Sequence, residues 1–144
     1  MKLHLGIAVA VAVAVAGCGD DSCNEESMDV LQETVPACSD LAPGPVTVSF
    51  QVCATCNHIA TSCTVDRQGS TVQLDPLAEA CESASSCPLP SCGLNGADRR
   101  TITCSFVAAP TDTQILVFDG GSGQPITRDI SVTGSATSCG IAGI

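Results

Sequence analysis

The chain has 144 residues, with 5 Lys and Arg against 15 Asp and Glu and a net charge of −10. That is a length for one domain, and the charge balance excludes binding to nucleic acid or anionic lipid through a basic patch, because both need clustered cations. Trp and Tyr are absent and Phe occurs 3 times, so a core must come from Val, Ile and Leu, and a sugar site that stacks rings on aromatics is not expected.

The chain opens with Met1-Lys2-Leu3-His4, a short basic start. Leu5 to Ala16 is apolar apart from Gly6. Such a run is too short to span a bilayer, which takes about 20 residues, and it has the length of a secretory apolar region. Val15-Ala16-Gly17-Cys18 follows. This segment resembles the bacterial lipoprotein signal, in which an aliphatic residue and two small ones precede a cysteine that receives diacylglycerol. The resemblance covers residues 1–18. It implies a signal peptide over 1–17, lipidation of Cys18 with fatty acyl chains such as palmitate, and the membrane as a partner through that lipid. Gly19 stands where Asp would favour retention in the inner membrane, so the resemblance implies a Gram-negative cell envelope location with the outer membrane favoured. The competing readings are an ordinary signal peptide with Cys18 in a disulfide, and an anchor that is never cut.

Cysteine counting bears on that choice. The chain has 11 cysteines, a number that suits an oxidising compartment. Setting Cys18 aside leaves Cys23, Cys38, Cys53, Cys56, Cys63, Cys81, Cys87, Cys92, Cys104 and Cys139 as disulfide candidates, an even set with no thiol left over. Removal of residues 1–17 also takes away Lys2, the only lysine, leaving Arg67, Arg99, Arg100 and Arg128 against all 15 acids, a net of −11. The plain consequence of that charge is solubility.

Residues 18–45 read as the lipidated Cys and a polar lead-in or tether. Met28, Val30, Leu31 and Val35 could form one face of a short helix capped by Asn24, ended by Val35-Pro36. Cys23 and Cys38 could close this lead-in on each other. Leu41-Ala42-Pro43-Gly44-Pro45 is a breaker stretch, and it places the start of the domain at 46.

Strand patterns dominate from there. Val46, Val48, Phe50 and Val52 alternate with polar residues. Cys63–Asp66 and Thr71–Leu74 flank a turn containing Gly69, a hairpin pattern. In Thr101–Val107, Ile102, Cys104 and Phe106 share a face, and the inward position of Cys104 favours an inter-sheet disulfide. Ile115–Phe118 is apolar on both faces, as in a central strand. Ile126, Ile130 and Val132 alternate in a last strand, with Arg128 on their face and Gly120–Pro125 as the loop before it. Asp75-Pro76 reads as a cap and first position of a helical turn or two reaching about Glu82. The remainder of 75–100 reads as a Cys-rich irregular insertion pinned by disulfides.

The residues that could carry chemistry are few. Cys53-Ala54-Thr55-Cys56 is a CxxC. A redox dithiol needs its first Cys at a helix N-terminus, and Cys53 follows a strand. Attached haem needs His directly after the second Cys, where Asn57 stands. A zinc set of Cys53, Cys56, His58 and Cys63 has no second CxxC to complete it. His58 is the only histidine beyond the leader, and no GxSxG elbow accompanies it for a hydrolase. Asp119–Pro125 is similar to a glycine-rich calcium repeat in one copy, but Pro125 stands at the Asp position; calcium at Asp112, Asp119 or Asp129 is the weaker reading of that loop. Arg99-Arg100 is too small for an anion patch, and Asp20-Asp21 and Glu25-Glu26 read as solvated charge.

The sequence therefore predicts a mainly β protein, a small disulfide-stapled β-sandwich of Ig-like architecture over 46–144 with a Cys-rich irregular insertion. No catalytic residue, metal ligand or cofactor is assigned. The expected role is a non-enzymatic structural or binding domain on an envelope lipoprotein, with an envelope protein as a second partner and no nucleic acid. The alternative is an extracytoplasmic metal-binding or redox module centred on Cys53, Cys56, His58 and Cys63.

Overall fold

A computed structural model describes residues 22–81, 87–110, 114–117 and 120–141. Residues 1–21, with Cys18 and the segment expected to be a signal peptide, lie outside the described residues, as do Asp112, Phe118 and Asp119. The fold is mainly β, with two sheets and five disulfides. Its strands are β1 (Cys23–Ser27), β2 (Asp29–Val30), β3 (Gly44–Cys53), β4 (His58–Gln68), β5 (Thr71–Cys81), β6 (Arg99–Ala108), β7 (Gln114–Val117), β8 (Ile126–Asp129) and β9 (Ser138–Cys139).

Each sheet is built on one long antiparallel pair. In the first, β4 pairs with β5 along its length, and Gly69 takes φ +62° in the two-residue turn between Gln68 and Thr71, a conformation that costs glycine little. In the second, β3 pairs with β6 from Gly44↔Ala108 to Cys53↔Arg99. The other edge of each long strand is shared by two short ones. β5 takes β1 antiparallel at residues 77–81 and β7 parallel at 71–74, with the Met28 N–H bonding the Pro76 carbonyl between them. β3 takes β2 at 52–53 and β9 parallel at 47–48. The Leu31 N–H and the Thr34 hydroxyl serve Gln51 in the gap. Two-residue strands cannot stand alone, and here they complete ladders that would otherwise leave unpaired backbone groups.

The core is aliphatic, as the composition demands. Val46, Val48, Phe50 and Val52 from β3 face Val72, Leu74, Ile115 and Val117 from the other sheet's strands, all buried. Ile102, Cys104 and Phe106 of β6 are buried on the predicted face, and the hairpin and the β3 strand form where the alternation places them. Arg128, predicted on the inward face of the last strand, is half-buried because it donates to the carbonyls of Val35, Gln32 and Thr127.

Four expectations are corrected. First, residues 24–35 hold no α-helix. β1 and β2 run there, followed by a 3-10 turn at Gln32–Thr34. Met28 and Val30 are buried two residues apart, which is strand spacing, and β5 and β3 each offer an open edge. Second, the lead-in from Cys23 onward is part of the sandwich, since Met28, Val30, Val35, Cys38 and Leu41 join the core. Third, the expected helix at Asp75-Pro76 is the continuation of β5 to Cys81. Pro76 pairs with Cys63 and gives its carbonyl to Met28, so its missing N–H falls where two short edge strands meet. Fourth, Cys23 and Cys38 do not bond to each other. Cys23 joins Cys81 and Cys38 joins Cys139.

The expected inter-sheet bond of Cys104 is present, and its partner is Cys63 on β4. It ties one edge strand of each sheet together. On the opposite side, Cys38–Cys139 and the isolated bridges Cys38↔Ile130 and Leu41↔Ala136 tie the lead-in to the C-terminal segment.

Candidate functional site

Cys53, Cys56 and His58 collect at one end of the sandwich, where β3 and β5 finish and β4 and β6 begin. Cys53 and Cys56 do not form a bond with each other. Cys53 bonds Cys92 and Cys56 bonds Cys87, so the CxxC is two anchor points for the irregular 87–98 segment. Cys63 is in a third bond, to Cys104. Three sulfurs once considered together for zinc or redox work thus lie in three separate disulfides, and a disulfide sulfur offers no thiolate for metal or nucleophilic attack. Among the described residues no group of three His, Cys, Asp or Glu side chains is placed to hold a metal ion.

His58 opens β4 and is buried. Its Nδ1 accepts a bond from the Thr55 backbone N–H at 3.1 Å, and its Nε2 lies 2.6 Å from Glu26 Oε1. The backbone amide can only donate, so Nδ1 carries no proton and Nε2 is the protonated nitrogen that donates to the carboxylate. The register explains how the two meet. Glu26 stands opposite Ala78 and His58 opposite Ala80, so two small side chains on β5 leave room for the pair to reach across the strand. Arg100, from the other sheet, donates to the His58 carbonyl at 2.8 Å.

A His–carboxylate pair is two-thirds of a hydrolase triad, but a triad needs the second ring nitrogen free to take a proton from the nucleophile. Here that nitrogen is committed to a backbone amide. The arrangement pins the 54–57 turn and β1 onto the two long strands. His58→Ala is expected to lower stability by about 1–3 kcal/mol, the cost of stranding part-buried partners. Thermal unfolding of oxidised protein measures this, and Glu26→Gln, which can still accept the bond, should lose less.

The remaining candidates are accounted for by packing. Gly120 and Gly121 sit so close to the Ser27 carbonyl and the Asp29 carboxylate that a Cβ at either would collide with them. The glycine-rich loop therefore serves a close approach to β1 and β2. Asp112 and Asp119 lie outside the described residues, and Asp129 ends β8, an exposed position. Arg99 is bonded to Glu33 at 2.7 Å and to the Leu94 carbonyl at 2.9 Å, which secures the 93–94 loop rather than a ligand.

Among the described residues, two open surface depressions stand out. One, about 340 Å³, is lined by Ser49, Thr101, Ser138, Cys139, Gly140 and Ile141. The other, about 390 Å³, lies over β1, β4 and β5 between Glu25 and Glu79, which stand directly opposite each other in the ladder. His58 lines neither. Like charges directly opposed are mildly destabilising in a sheet, and the Cys23–Cys81 bond two residues away holds them together. No family model matches the chain, and neither a curated protein nor a solved structure matches it.

Proposed function

We propose that the protein is a lipid-anchored envelope protein whose disulfide-stapled sandwich acts as a non-enzymatic structural or binding domain. The observation that carries this is the cysteine pairing. The chain has 11 cysteines, and Cys23–Cys81, Cys38–Cys139, Cys53–Cys92, Cys56–Cys87 and Cys63–Cys104 use all but one. The remaining one is Cys18, which has no cysteine of its own chain to take as a partner and which stands at the acceptor position of the Val15-Ala16-Gly17-Cys18 motif. Five bonds also require an oxidising compartment, and the leader supplies the route to it. The absence of a prepared base in His58 and the closed state of the CxxC support a binding or structural role over a catalytic one.

The test is the mass of the N-terminal peptide from protein expressed with its own leader in a Gram-negative host. A peptide beginning at Cys18 and carrying a diacylglyceryl group is expected, together with pelleting in the membrane fraction. A Cys18→Ser variant should leave that fraction. A peptide beginning elsewhere, or an unmodified Cys18, would overturn the proposal.

A further inference from the structure

The large apolar side chains that the fold leaves in solvent are not scattered evenly. Among the described residues five are exposed: Leu89 at 94%, Leu94 at 81%, Ile59 at 64%, Val107 at 62% and Val65 at 36%. The first three, which include the two most exposed, belong to the end of the sandwich where the chain enters, whereas Val65 lies along β4 and Val107 near the far end of β6. The covalent path is short: Cys23 bonds Cys81, the Cys81 N–H bonds the Asn57 carbonyl, and Cys56 beside it bonds Cys87, two residues from Leu89. Leu94 is held there by Arg99, which pairs with Cys53 at the end of β3. Ile59 is the extra residue where the β4–β5 register slips between His58 and Ala60, and such a bulge re-aims its side chain outward. A leucine on a loop costs nothing to replace with a polar residue, yet the loop that holds two of these three is fastened by Cys53–Cys92 and Cys56–Cys87.

The chain between Cys18 and Cys23 fixes what this end faces. Five residue steps reach at most about 17 Å when fully extended. β5 alone, from Thr71 to Cys81, is about 33 Å long at strand rise. A lipid on Cys18 therefore keeps the Cys23 end at the bilayer and holds the Gly69–Ser70 hairpin tip, at the far end of β5, beyond the tether's reach. The apolar trio stands at the near end.

We infer that Leu89, Leu94 and Ile59 form a bilayer-docking face that seats the sandwich end-on in the membrane interface beside the lipidated Cys18. The inference rests on the lipoprotein reading above. Docking is apolar, since the acidic domain gains nothing from anionic headgroups, and it should hold in zwitterionic lipid and be insensitive to salt. A diacylglyceryl group already holds two acyl chains in the bilayer, so the apolar contact sets the orientation of the domain rather than its retention.

The absence of Trp provides a clean probe. Full-length protein carrying Leu89→Trp or Leu94→Trp, purified after processing in its host and reconstituted into phosphatidylcholine vesicles, has one tryptophan. Both positions are exposed loop sites, so folding is unaffected, and Ser70→Trp at the opposite tip serves as the control. Blue-shifted emission at 89 and 94, with several-fold stronger quenching by brominated acyl chains than at 70, is expected. Solvent-like, unquenched emission at 89 and 94 in protein whose mass includes the lipid on Cys18 overturns docking and leaves the anchor intact. Emission that is blue-shifted but unquenched by brominated chains places another protein on the leucines, and it also overturns docking. An unmodified Cys18 removes both the anchor and the docking that depends on it.

Discussion

Removing the Cys38–Cys139 bond by a double substitution to alanine should cost more stability than removing any other of the five. The bond spans a sequence separation of 101, and closing a loop of about 100 residues removes denatured-state entropy worth about 4.7 kcal/mol, against about 3.7 kcal/mol for the shortest, Cys56–Cys87, at a separation of 31. A domain of this size has only about 5–15 kcal/mol in all. The native state contributes as well. Cys38 is buried, and its backbone pairs with Ile130 while Cys139 pairs with Val48, so the bond holds the lead-in, β9 and the centre of β3 in one place. Guanidinium unfolding under oxidising conditions should show a lower midpoint together with a steeper slope, because the released denatured chain exposes more surface. An unchanged midpoint would mean that the other four bonds already constrain the same segment.

Phe50→Ala is expected to cost about 3–5 kcal/mol, the range for deleting a buried aromatic ring. Phe50 is 0% exposed and the largest fully buried side chain among the described residues. Val48, Val52, Leu74 and Ile115 of the same core cluster are fully buried, and a close-packed core relaxes only in part into such a space. The variant should fold while its disulfides are intact and unfold when they are reduced, because cross-links and core compensate for each other in a chain poor in aromatics. Phe106→Ala, at 8% exposure on an edge strand, should cost less. Circular dichroism before and after reduction distinguishes these outcomes.

Both effects arise from the same division of labour. With Phe as its only aromatic and a net charge of −10, the chain has too little ring surface to hold two sheets by burial alone, and it uses cysteine at each seam. Cys63–Cys104 closes one side of the sandwich and Cys38–Cys139 the other. The remaining three bonds gather at the end where the chain enters: Cys23–Cys81 ties β1 to β5, and Cys53–Cys92 and Cys56–Cys87 fasten the irregular segment there. His58 spends both ring nitrogens on holding strands and a turn together.

Much of this was written in local pattern. Alternation named the inward faces of β3 and β6 because side chains on a strand point to opposite sides in turn, a rule that needs no knowledge of neighbours. Gly69 marked the hairpin, since few other residues take positive φ cheaply. The even count of cysteines beyond Cys18 required no structure either. What the tertiary fold alone decided are the relations between distant residues. Asn24 to Val35 has enough apolar spacing for either a helix or a strand, and the open edges of β5 and β3 settle it as strand. Asp75-Pro76 carries a helix-start signal, and the eleven-residue partner β4 overrides it. Cys23 and Cys38 are near in sequence, but β1 lies against β5, which puts Cys23 beside Cys81. Disulfide pairing depends on which strands are neighbours, and strand neighbours are set by the burial of two whole sheets against each other, a sum over the entire chain that no short window contains.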